Sequence, residues 1–521
     1  MRSTLSMGHM GSHCFISHVR ALSKLVQRFN MIDIMWFRRD LRVSDNIALF
    51  EISKLPSIAA IFTYDNQIMN EPDFSFSHKG FIDDSVSQLE EKFLSYGGHL
   101  NIYNLPSLKV FESIQKKYDI KNVYSNHETG NWVTFNRDKI LQKYFRKNKI
   151  KWMRFQTNGV IPDLKNRDGW SGKWNIQMNL PIVQQPNLNR FKKLSLTINR
   201  DIADIHFAKI RSIRKDYTGG ETSARSALEL FLNKNGQHYS KNISSPSLSK
   251  NSCSRLGPFL TYGNISVRQI FQATKKRQAY LRELKVRDGW LKSLSSFSSR
   301  LRWHCHFIQK LDMQPNLEFT NMVRAFDNLR TNTNEDYFTR WKNGEVGYPM
   351  VDACMRFLKT NGWINFRMRA MLVSFASYNL WIDWRKSSKF LSKYFIDYEP
   401  GIHYNQFQMQ SGVTGMNALR IYNPIKQQRD HDQDGSFVKK WCPELQSVPL
   451  EYLQYPHLMS EARQKKSGCI IGKSYPNPVV DLKISSLKAR KLIYDVKGKK
   501  HTKEESAIAL RLHGSRKKNN R

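Results

Sequence analysis

Two arginines, two carboxylates and a histidine are closely spaced in the second half of the chain, where they could bind a polar group. Arg367 and Arg369 are two positions apart, which on an α-helix is about 200° of rotation, so they must face different targets. Asp397 and Glu399 can each accept hydrogen bonds, and His403 can titrate near neutral pH or form a hydrogen bond. These residues predict a polar site, with one arginine facing the bound group and the other facing a phosphate.

A second candidate is the segment Ser254, Arg255, Leu256 and Gly257. Small residues at a helix start present backbone N–H groups, which suit a pyrophosphate. Read alone, the segment is equally an ordinary helix start.

The cysteines and histidines do not form a pattern typical of a metal site. The six cysteines, at positions 14, 253, 305, 354, 442 and 469, include no CxxC pair, which argues against a zinc ribbon or a disulfide scaffold and favours a reducing compartment. His304, Cys305 and His306 are adjacent, and adjacent side chains on a helix diverge. We therefore expect no metal ion.

The charge of the chain is extreme. Its 83 lysines and arginines outnumber 44 aspartates and glutamates, for a formal net charge of +39. Such a charge attracts polyanions, and nucleic acid is the natural partner; the alternative is that many lysines are simply solvated surface. The most apolar stretch, residues 371–384, is too short to span a membrane. We expect a monomer without membrane segments.

The elements that must position these residues fall into two classes. The first half alternates strand and helix patterns, which predicts an open parallel α/β sheet of five strands. The second half shows amphipathic helices with no strand pattern, which predicts a large all-α domain. The predicted strands are 32–37, 58–64, 99–103, 122–125 and 151–155, and the helices between them are 48–54, 80–96, 108–118 and 133–145.

These patterns divide the chain into five parts. Residues 31–164 form the α/β domain and residues 218–485 the helical domain, joined by a connector, 165–217, that is rich in Gly, Pro and Asn. Residues 1–30 carry basic residues and no acid; we expect a disordered extension rather than an organelle-targeting peptide. Residues 486–521 predict a mobile basic tail.

The order and spacing of several motifs resemble the photolyase/cryptochrome superfamily. Trp36–Arg42 followed by Asp45-Asn46 resembles the opening of these proteins, and we expect Arg38 and Asp40 to be structural. Residues 254–263 resemble the FAD phosphate-binding segment, although Cys253 and Gly257 replace two hydroxyl residues of the usual pattern. The remaining motifs, which resemble the FAD-binding domain, are 347–356, 362–369, 382–385, 397–400, 420–424 and 441–445.

The resemblance covers residues 31–485 and implies an activity. It implies an α/β antenna-type domain before a helical FAD-binding catalytic domain. It also implies light-driven repair of cyclobutane pyrimidine dimers in DNA by electron transfer from excited reduced FAD, a deoxyribodipyrimidine photo-lyase reaction in a cytoplasmic protein of bacterial type. The α/β domain would hold a second, antenna chromophore of the folate or deazaflavin type.

The resemblance assigns cofactor roles to particular residues. It implies an Arg369–Asp397 ion pair beside the isoalloxazine ring, with Glu399 at the polar edge of the flavin and His403 opposite flavin N5. It implies that the segment 254–257 binds the FAD phosphates.

It also implies where DNA would bind. Trp363 and Arg367 would lie at the rim of the cavity for the flipped-out dimer, where an indole stacks on bases and an arginine holds the backbone. Arg300 and Trp303 offer further contacts. The glutamate that dimer photolyases place on this helix aligns near Ser296, so this chain lacks it.

The electron-transfer chain of the family is also altered. Trp384 matches the middle tryptophan of three, but Phe407 stands at the position nearest the flavin and Thr331 near the outer position. Phenylalanine is too hard to oxidise to serve as a hopping station. Trp381 or Trp341 could provide a detour.

Two alternatives to repair stay open. A cryptochrome-type blue-light photoreceptor that binds FAD without repair is favoured by the missing glutamate and the altered tryptophan chain. A DNA- or RNA-binding protein with a degenerate flavin site is the other. The charge and the Trp363–Arg367 pair favour repair, and the absence of paired histidines near residues 365–366 favours cyclobutane dimers over (6-4) lesions.

Overall fold

The computed structural model describes residues 31–196 and 216–514. The predictions for residues 1–30, and those for residues 197–215 of the connector, lie outside this range. Within it, no helix is long and apolar enough to cross a bilayer.

The first half folds as one parallel sheet of five strands in the order β3-β2-β1-β4-β5. The predicted α/β class is therefore confirmed, with strand ends within three residues of the predictions. The strands are β1 Met31–Phe37, β2 Ile58–Thr63, β3 Leu100–Tyr103, β4 Asp119–Asn126 and β5 Lys151–Phe155.

Strand β1 shows why the sheet is central. Ile34 and Trp36 point to one face, where they pack in a small core with two helices of the sheet. Met35 and Phe37 point to the other face and belong to a continuous core that extends into the second half of the chain. Because successive side chains of a strand alternate, one strand contributes to both cores.

Helices cover the sheet and form the second half of the chain. Around the sheet and in the connector they are α1 Ile47–Ile52, α2 Asn66–Met69, α3 Phe76–Ser95, α4 Ser107–Lys117, α5 Trp132–Lys147 and α6 Trp170–Asn179. In the helical half they are α7 Glu221–Asn233, α8 Tyr239–Asn242, α9 Ser249–Ser252, α10 Gly257–Thr261, α11 Val267–Glu283, α12 Trp290–Met313, α13 Glu335–Asn343, α14 Pro349–Asn361, α15 Phe366–Ser374, α16 Trp384–Ser392, α17 Pro400–Gln410, α18 Pro424–His431, α19 Ser436–Trp441, α20 Glu461–Ser467, α21 Leu482–Gly498 and α22 Lys500–His513.

The loop after β1 is held by buried charges. The Arg38 backbone N–H donates to Asp40 Oδ1 at 2.7 Å, and Asp40 Oδ2 accepts from Asn126 Nδ2 at 2.5 Å. The Arg38 guanidinium donates to Asp138 at 2.8 Å. These contacts are the ones that a structural role for Arg38 and Asp40 predicts.

The same loop joins the two halves of the chain. Asp45 is fully buried, and its carboxylate accepts from Arg268 Nε at 3.1 Å. The Leu41 backbone N–H donates to the Tyr262 carbonyl at 3.1 Å. At Gly263, with φ of 70°, a Cβ would lie 2.3 Å from the Arg39 carbonyl oxygen, so the approach of the two backbones requires glycine.

The predicted mobile tail is wrong as far as Gly514. Helix α21 runs across the predicted boundary at residue 486, and α22 continues to His513. Ala489, Ile493 and Ala509 are buried in the core. The tail folds because α21 buries Ala489 and Ile493, which are four positions apart, and α22 buries Ala509. The many lysines of this segment hide these few buried positions in the sequence.

Candidate functional site

A turn between two helices positions the first residues of the site. Gly362, with φ of 68°, ends α14, and α15 begins at Phe366. The Ile396 backbone N–H donates to the Gly362 carbonyl at 3.0 Å. This bond holds the loop that carries Asp397 against the helix that carries Arg369.

An ion pair forms the centre of the site. Arg369 donates from Nη2 to Asp397 Oδ2 at 2.9 Å and from Nε to the Ile364 carbonyl at 2.7 Å. The second carboxylate oxygen, Asp397 Oδ1, is buried and has no partner within the described residues. Gly257 packs against this carboxylate, since a Cβ there would lie 2.8 Å from Asp397 Cβ. The implied ion pair is present, with one oxygen free to accept a hydrogen bond.

Arg255 covers the indole of Trp363. Its guanidinium carbon lies 4.3 Å from the Trp363 ring and 4.6 Å from the Tyr217 ring, and its Nε donates to the Tyr217 hydroxyl. The nearby Asp216 carboxylate is 4.0 Å away. Trp363 is only 7 % exposed. A base would therefore have to displace the Arg255 guanidinium to reach the indole, or stack on the guanidinium itself. Arg255 thus belongs to the platform where DNA binding was predicted.

The other residues of the 254–257 segment form a tight turn. The Leu256 backbone N–H donates to Ser254 Oγ at 3.5 Å, and the Leu256 side chain is buried. Helix α10 has only five residues, so it sums few peptide dipoles. Any phosphate bound at this segment would depend on local backbone N–H groups.

Arg367 points away from the ion pair. Its Nε donates to Ser244 Oγ at 2.8 Å, whereas Arg369 reaches Asp397. The divergence agrees with the helix period. Arg367 is partly exposed, and no carboxylate in the described part of the chain pairs with it. Burial and the charge of Arg367 lower the pKa of His431.

Glu399 reaches the loop that follows β1. Its Oε2 accepts from Arg39 Nη2, while Oε1 is buried without a partner in the described ranges. Burial raises the pKa of Glu399, against the opposing charge of Arg39. One carboxylate oxygen, Oε2, joins the two domains, and the other, Oε1, remains for the predicted cofactor contact.

His403 is a buried, neutral histidine. Its Nε2 lies 3.1 Å from the Ser388 carbonyl; a carbonyl can only accept, so Nε2 carries the proton and Nδ1 keeps its lone pair. Burial lowers the pKa of His403 to about 3. His403 therefore does not titrate near neutral pH, and hydrogen bonding is the role that remains.

Arg300 and Trp303 lie on an exposed side of α12. Trp303 is 49 % exposed, and its ring lies 5.8 Å from that of Phe307. The Arg300 guanidinium lies 5.9 Å from the Trp303 ring. Within residues 31–196 and 216–514, neither residue has a ring or cation contact with Trp363. The prediction that Arg300 and Trp303 contact DNA together with Trp363 and Arg367 stays a prediction.

Comparisons with known proteins agree with this geometry. Two family models match, described as DNA photolyase over residues 33–169 and as the FAD binding domain of DNA photolyase over residues 297–495. The chain belongs to the photolyase/cryptochrome superfamily.

Individual relatives include both branches of the superfamily. A deoxyribodipyrimidine photo-lyase of Alkalihalophilus pseudofirmus is 27 % identical over 86 % of this chain and 94 % of its own. A Synechocystis cryptochrome structure matches with a TM-score of 0.78 and 23 % identity, covering 89 % of this chain and 99 % of its own. An archaeal photolyase structure from Sulfolobus tokodaii, determined with two FAD molecules, matches with a TM-score of 0.72 and 24 % identity, covering 89 % and 100 %.

The residues of this superfamily member fit FAD. Asp397 Oδ1 and Glu399 Oε1 are buried acceptors without donors in the described ranges, and ring N–H and ribityl hydroxyl groups would supply those donors. The glycine at position 257 leaves the Asp397 carboxylate uncovered by a side chain on that side. Arg369, Asp397, Glu399 and His403 are the residues that would hold the flavin.

The tryptophan chain of the superfamily is interrupted. Phe407 lies 4.4 Å from the His403 ring, and Trp384 donates from Nε1 to Asn321 Oδ1 at 2.7 Å. Trp381 stacks with Arg330, and Trp341 packs on Phe338 and Phe390. Neither of these two tryptophans has a ring contact with Trp384 or Phe407 in residues 31–196 and 216–514.

Sequence reasoning missed several residues of the site. Tyr217 stacks with Arg255 but lies in the connector, where the sequence shows no motif. Tyr398 and Tyr404 surround His403, with ring centroids at 5.0 and 5.5 Å. Tyr398 was visible inside the Asp397–Pro400 motif, but its partner Asp73 is distant in sequence and gave no signal.

Proposed function

We propose that this protein repairs cyclobutane pyrimidine dimers in DNA, using light and a reduced FAD held in the helical domain. One observation carries the proposal: the Arg369–Asp397 pair, with its free Oδ1, lies next to the Arg255–Trp363 platform. The link between them is Gly257, two residues after Arg255, which packs on Asp397. A flavin site and a stacking surface for an extruded base are therefore adjacent.

The chain's own groups have separate tasks in this reaction. Arg367, unpaired by any carboxylate in the described ranges and partly exposed, binds a phosphate of the kinked strand. The Arg255 guanidinium and Trp363 stack on the flipped dimer. Asp397 and His403 orient the flavin by hydrogen bonds. Asp397 does so from within its ion pair with Arg369, and His403 does so as a neutral imidazole. FAD, when bound, supplies the photoexcited electron.

One observation favours the photoreceptor alternative. Ser296 stands where dimer photolyases carry a glutamate, and its carbonyl accepts from Ser299 Oγ at 2.7 Å within the helix. A serine hydroxyl is a weaker partner than a carboxylate for thymine carbonyls. Repair by this chain would therefore depend more on Arg255, Trp363 and Arg367.

We also propose that a second chromophore binds between the domains. A cavity of about 820 Å³, including its open mouth, lies beyond the carboxyl ends of β1 and β2, and residues that follow β4, such as Glu128 and Asn131, also line it. The strand order reverses between β1 and β4, and ligands of open α/β sheets bind at this point. Its lining includes Phe37, Thr63, Asn131 and Tyr398, which suits a planar ring with polar edges. DNA as partner, a monomeric state and a cytoplasmic location remain predictions.

A repair assay on the purified protein tests the proposal. The protein is reconstituted with FAD, reduced, mixed with a DNA oligonucleotide containing one cyclobutane thymine dimer, and illuminated with blue or near-UV light. Restored thymines, measured by chromatography, are expected in the light and not in a dark sample. The matched control is an oligonucleotide with a (6-4) lesion. Failure to bind FAD overturns the proposal; FAD binding without restored thymines supports the photoreceptor alternative.

A further inference from the structure

The aromatic surroundings of His403 differ from a tryptophan chain. Phe407 lies 4.4 Å from the His403 ring and cannot be oxidised at accessible potentials. On other sides of the same ring lie Tyr398 at 5.0 Å and Tyr404 at 5.5 Å. Two oxidisable phenols therefore contact the residue that is expected to face the flavin.

These two phenols share one carboxylate from the other domain. Tyr398 and Tyr404 are buried, and their hydroxyl oxygens are 2.9 Å apart. The Tyr398 hydroxyl donates to Asp73 Oδ2, and the Tyr404 hydroxyl lies 3.3 Å from the same oxygen. Asn131 Nδ2 donates to Asp73 at 3.2 Å and fixes its orientation. Asp73 precedes α3, so the cluster is complete only when the two domains are packed together.

Oxidation of a buried tyrosine needs such an acceptor. A phenol radical cation is a strong acid, and an existing hydrogen bond from the phenol to a carboxylate gives its proton a direct path. Burial and the neighbouring Asp73 charge raise the pKa of Tyr398 and of Tyr404, so both phenols stay protonated in the resting protein. The hydrogen-bonded carboxylate gives the proton a place to go at the moment of oxidation.

Trp384 is the competing donor, and its surroundings are less favourable. Its ring lies 6.4 Å from Tyr404, within the same aromatic cluster. The Arg385 guanidinium lies 5.0 Å from the indole, and Nε1 donates to Asn321 Oδ1, an amide oxygen. Asp383 and Asp327 pair with Arg385 at 2.8 and 3.0 Å and compensate its charge, so the deciding difference is the proton acceptor. An amide oxygen is a poor proton acceptor, whereas the tyrosine pair has the Asp73 carboxylate.

We propose that Tyr398 and Tyr404, with Asp73 as proton acceptor, are the internal electron donor that reduces the light-excited oxidised flavin. This proposal rests on the proposed flavin site. It assigns to a tyrosine–carboxylate cluster the role that the interrupted tryptophan chain leaves vacant.

The step is balanced within the protein. One electron leaves the tyrosine pair and passes to the light-excited flavin. The phenolic proton moves along the hydrogen bond to Asp73 Oδ2, which leaves a neutral tyrosyl radical beside a neutral carboxylic acid. The thiolate form of a small-molecule thiol then donates one electron to the radical and becomes a thiyl radical, two of which combine to a disulfide, and the proton returns from Asp73 to the phenolate oxygen.

The test uses the FAD-loaded, oxidised full-length protein. Samples are illuminated with blue light, frozen, and examined by electron paramagnetic resonance, with and without ring-deuterated tyrosine in the growth medium. We expect a tyrosyl spectrum that narrows on deuteration. The rate of light-driven flavin reduction with added thiol, followed by absorption, should fall about tenfold or more in the Y398F/Y404F double variant and in D73N.

The chain offers a matched control for these variants. Tyr475 is also buried and donates to a buried carboxylate, Asp352 Oδ2, at 2.6 Å, but it has no ring contact with His403 in the described part of the chain. Y475F should leave both the radical signal and the reduction rate unchanged. W384F should retain the tyrosyl signal.

Two results would overturn the proposal. One is a tryptophanyl signal that W384F removes; the other is an unchanged reduction rate in Y398F/Y404F that still binds FAD. The repair assay separates this inference from the proposed function, because chemically reduced Y398F/Y404F should still restore thymines. If the wild type forms the tyrosyl radical but repairs nothing, the proposed function fails and the inference stands.

Discussion

Buried charges are arranged differently in two regions of this molecule. In the domain seam, which we define as Arg39 and Asp45 with their partners, each charge meets its opposite across the two domains: Arg39 meets Glu399, and Asp45 meets Arg268. In the cleft, which we define as Arg255, Trp363, Arg367, Arg369 and Asp397, one short pair is made, between Arg369 and Asp397.

The difference separates structural from functional charge. Matched pairs in the seam neutralise one another and fix the docking of the domains, and of their carboxylate oxygens we assign only Glu399 Oε1 to a ligand. In the cleft, Arg255 lies on aromatic rings and Arg367 on a serine. Surplus cations in a concave surface attract an anion such as a nucleic-acid backbone.

The largest expected effect is on a seam pair. The variant D45A should lower the free energy of unfolding by about 3–5 kcal/mol, because it leaves the buried Arg268 without its partner. Urea denaturation measures this change. The matched control is E451A, which breaks an exposed pair with Arg463 and should change stability by no more than about 0.5 kcal/mol. Equal losses of unfolding free energy in the two variants would show that a seam pair stabilises the fold no more than a surface pair does.

The next effect concerns the pair in the cleft. The variant D397A should weaken FAD binding by about 2–5 kcal/mol, because it removes the free Oδ1 and leaves Arg369 unpaired. Quenching of flavin fluorescence during titration measures the affinity. E444A removes a partner of Arg356 elsewhere in the domain and should leave FAD affinity unchanged. Retained flavin binding in D397A would show that this carboxylate is structural.

A smaller effect is expected on the platform. W363A should weaken binding of dimer-containing DNA by about 1–3 kcal/mol, because a stacking surface for the base is lost. Binding of undamaged duplex should change little, and fluorescence anisotropy compares the two. The control W303A removes an exposed indole of α12, and a loss in W303A that is specific to lesion DNA would place the lesion site on the outer surface.

The smallest effect tests Glu318, a carboxylate outside the seam that accepts a hydrogen bond from a backbone N–H. Glu318 Oε2 accepts from the Trp132 backbone N–H at 2.6 Å, and burial raises the pKa of Glu318 to about 8. The folded protein therefore keeps a proton that the unfolded chain loses above its ordinary value, so stability falls as pH rises from about 5 to 8. In E318Q the fall in stability between pH 5 and pH 8 should disappear. The variant should therefore be more stable than the wild type at pH 8 by roughly 1–2 kcal/mol. Urea denaturation at pH 5 and pH 8 measures the free energy of unfolding of both proteins. An equal fall in the two proteins would contradict the raised pKa of Glu318.

The sequence predicts the sheet and its order of elements because the local pattern is strong there. Strand β1 alternates between two cores, and this alternation shows directly in its apolar run. The ion pair could be expected only through the family resemblance, since Arg369 and Asp397 belong to separate elements. The turn at Gly362 and its bond to Ile396 explain why they meet.

Features built from distant residues could not be predicted in this way. Asp73 and Tyr398 belong to different domains, and no local pattern links them. The closure of Trp363 by Arg255 depends on Tyr217 in a connector without motifs. The helices after residue 486 were missed because lysines obscured the short apolar face at Ala489 and Ile493.

Helix α22 has a consequence for how the chain is made. The buried Arg167, in the connector, donates from Nη1 to the His513 carbonyl at 2.9 Å, and Glu505 accepts from the Ala325 backbone N–H at 2.9 Å. These bonds cannot form until the ribosome has synthesised residues beyond 500. The contacts of Arg167 and Ala325 are therefore completed only after the helices that precede residue 500 have been made.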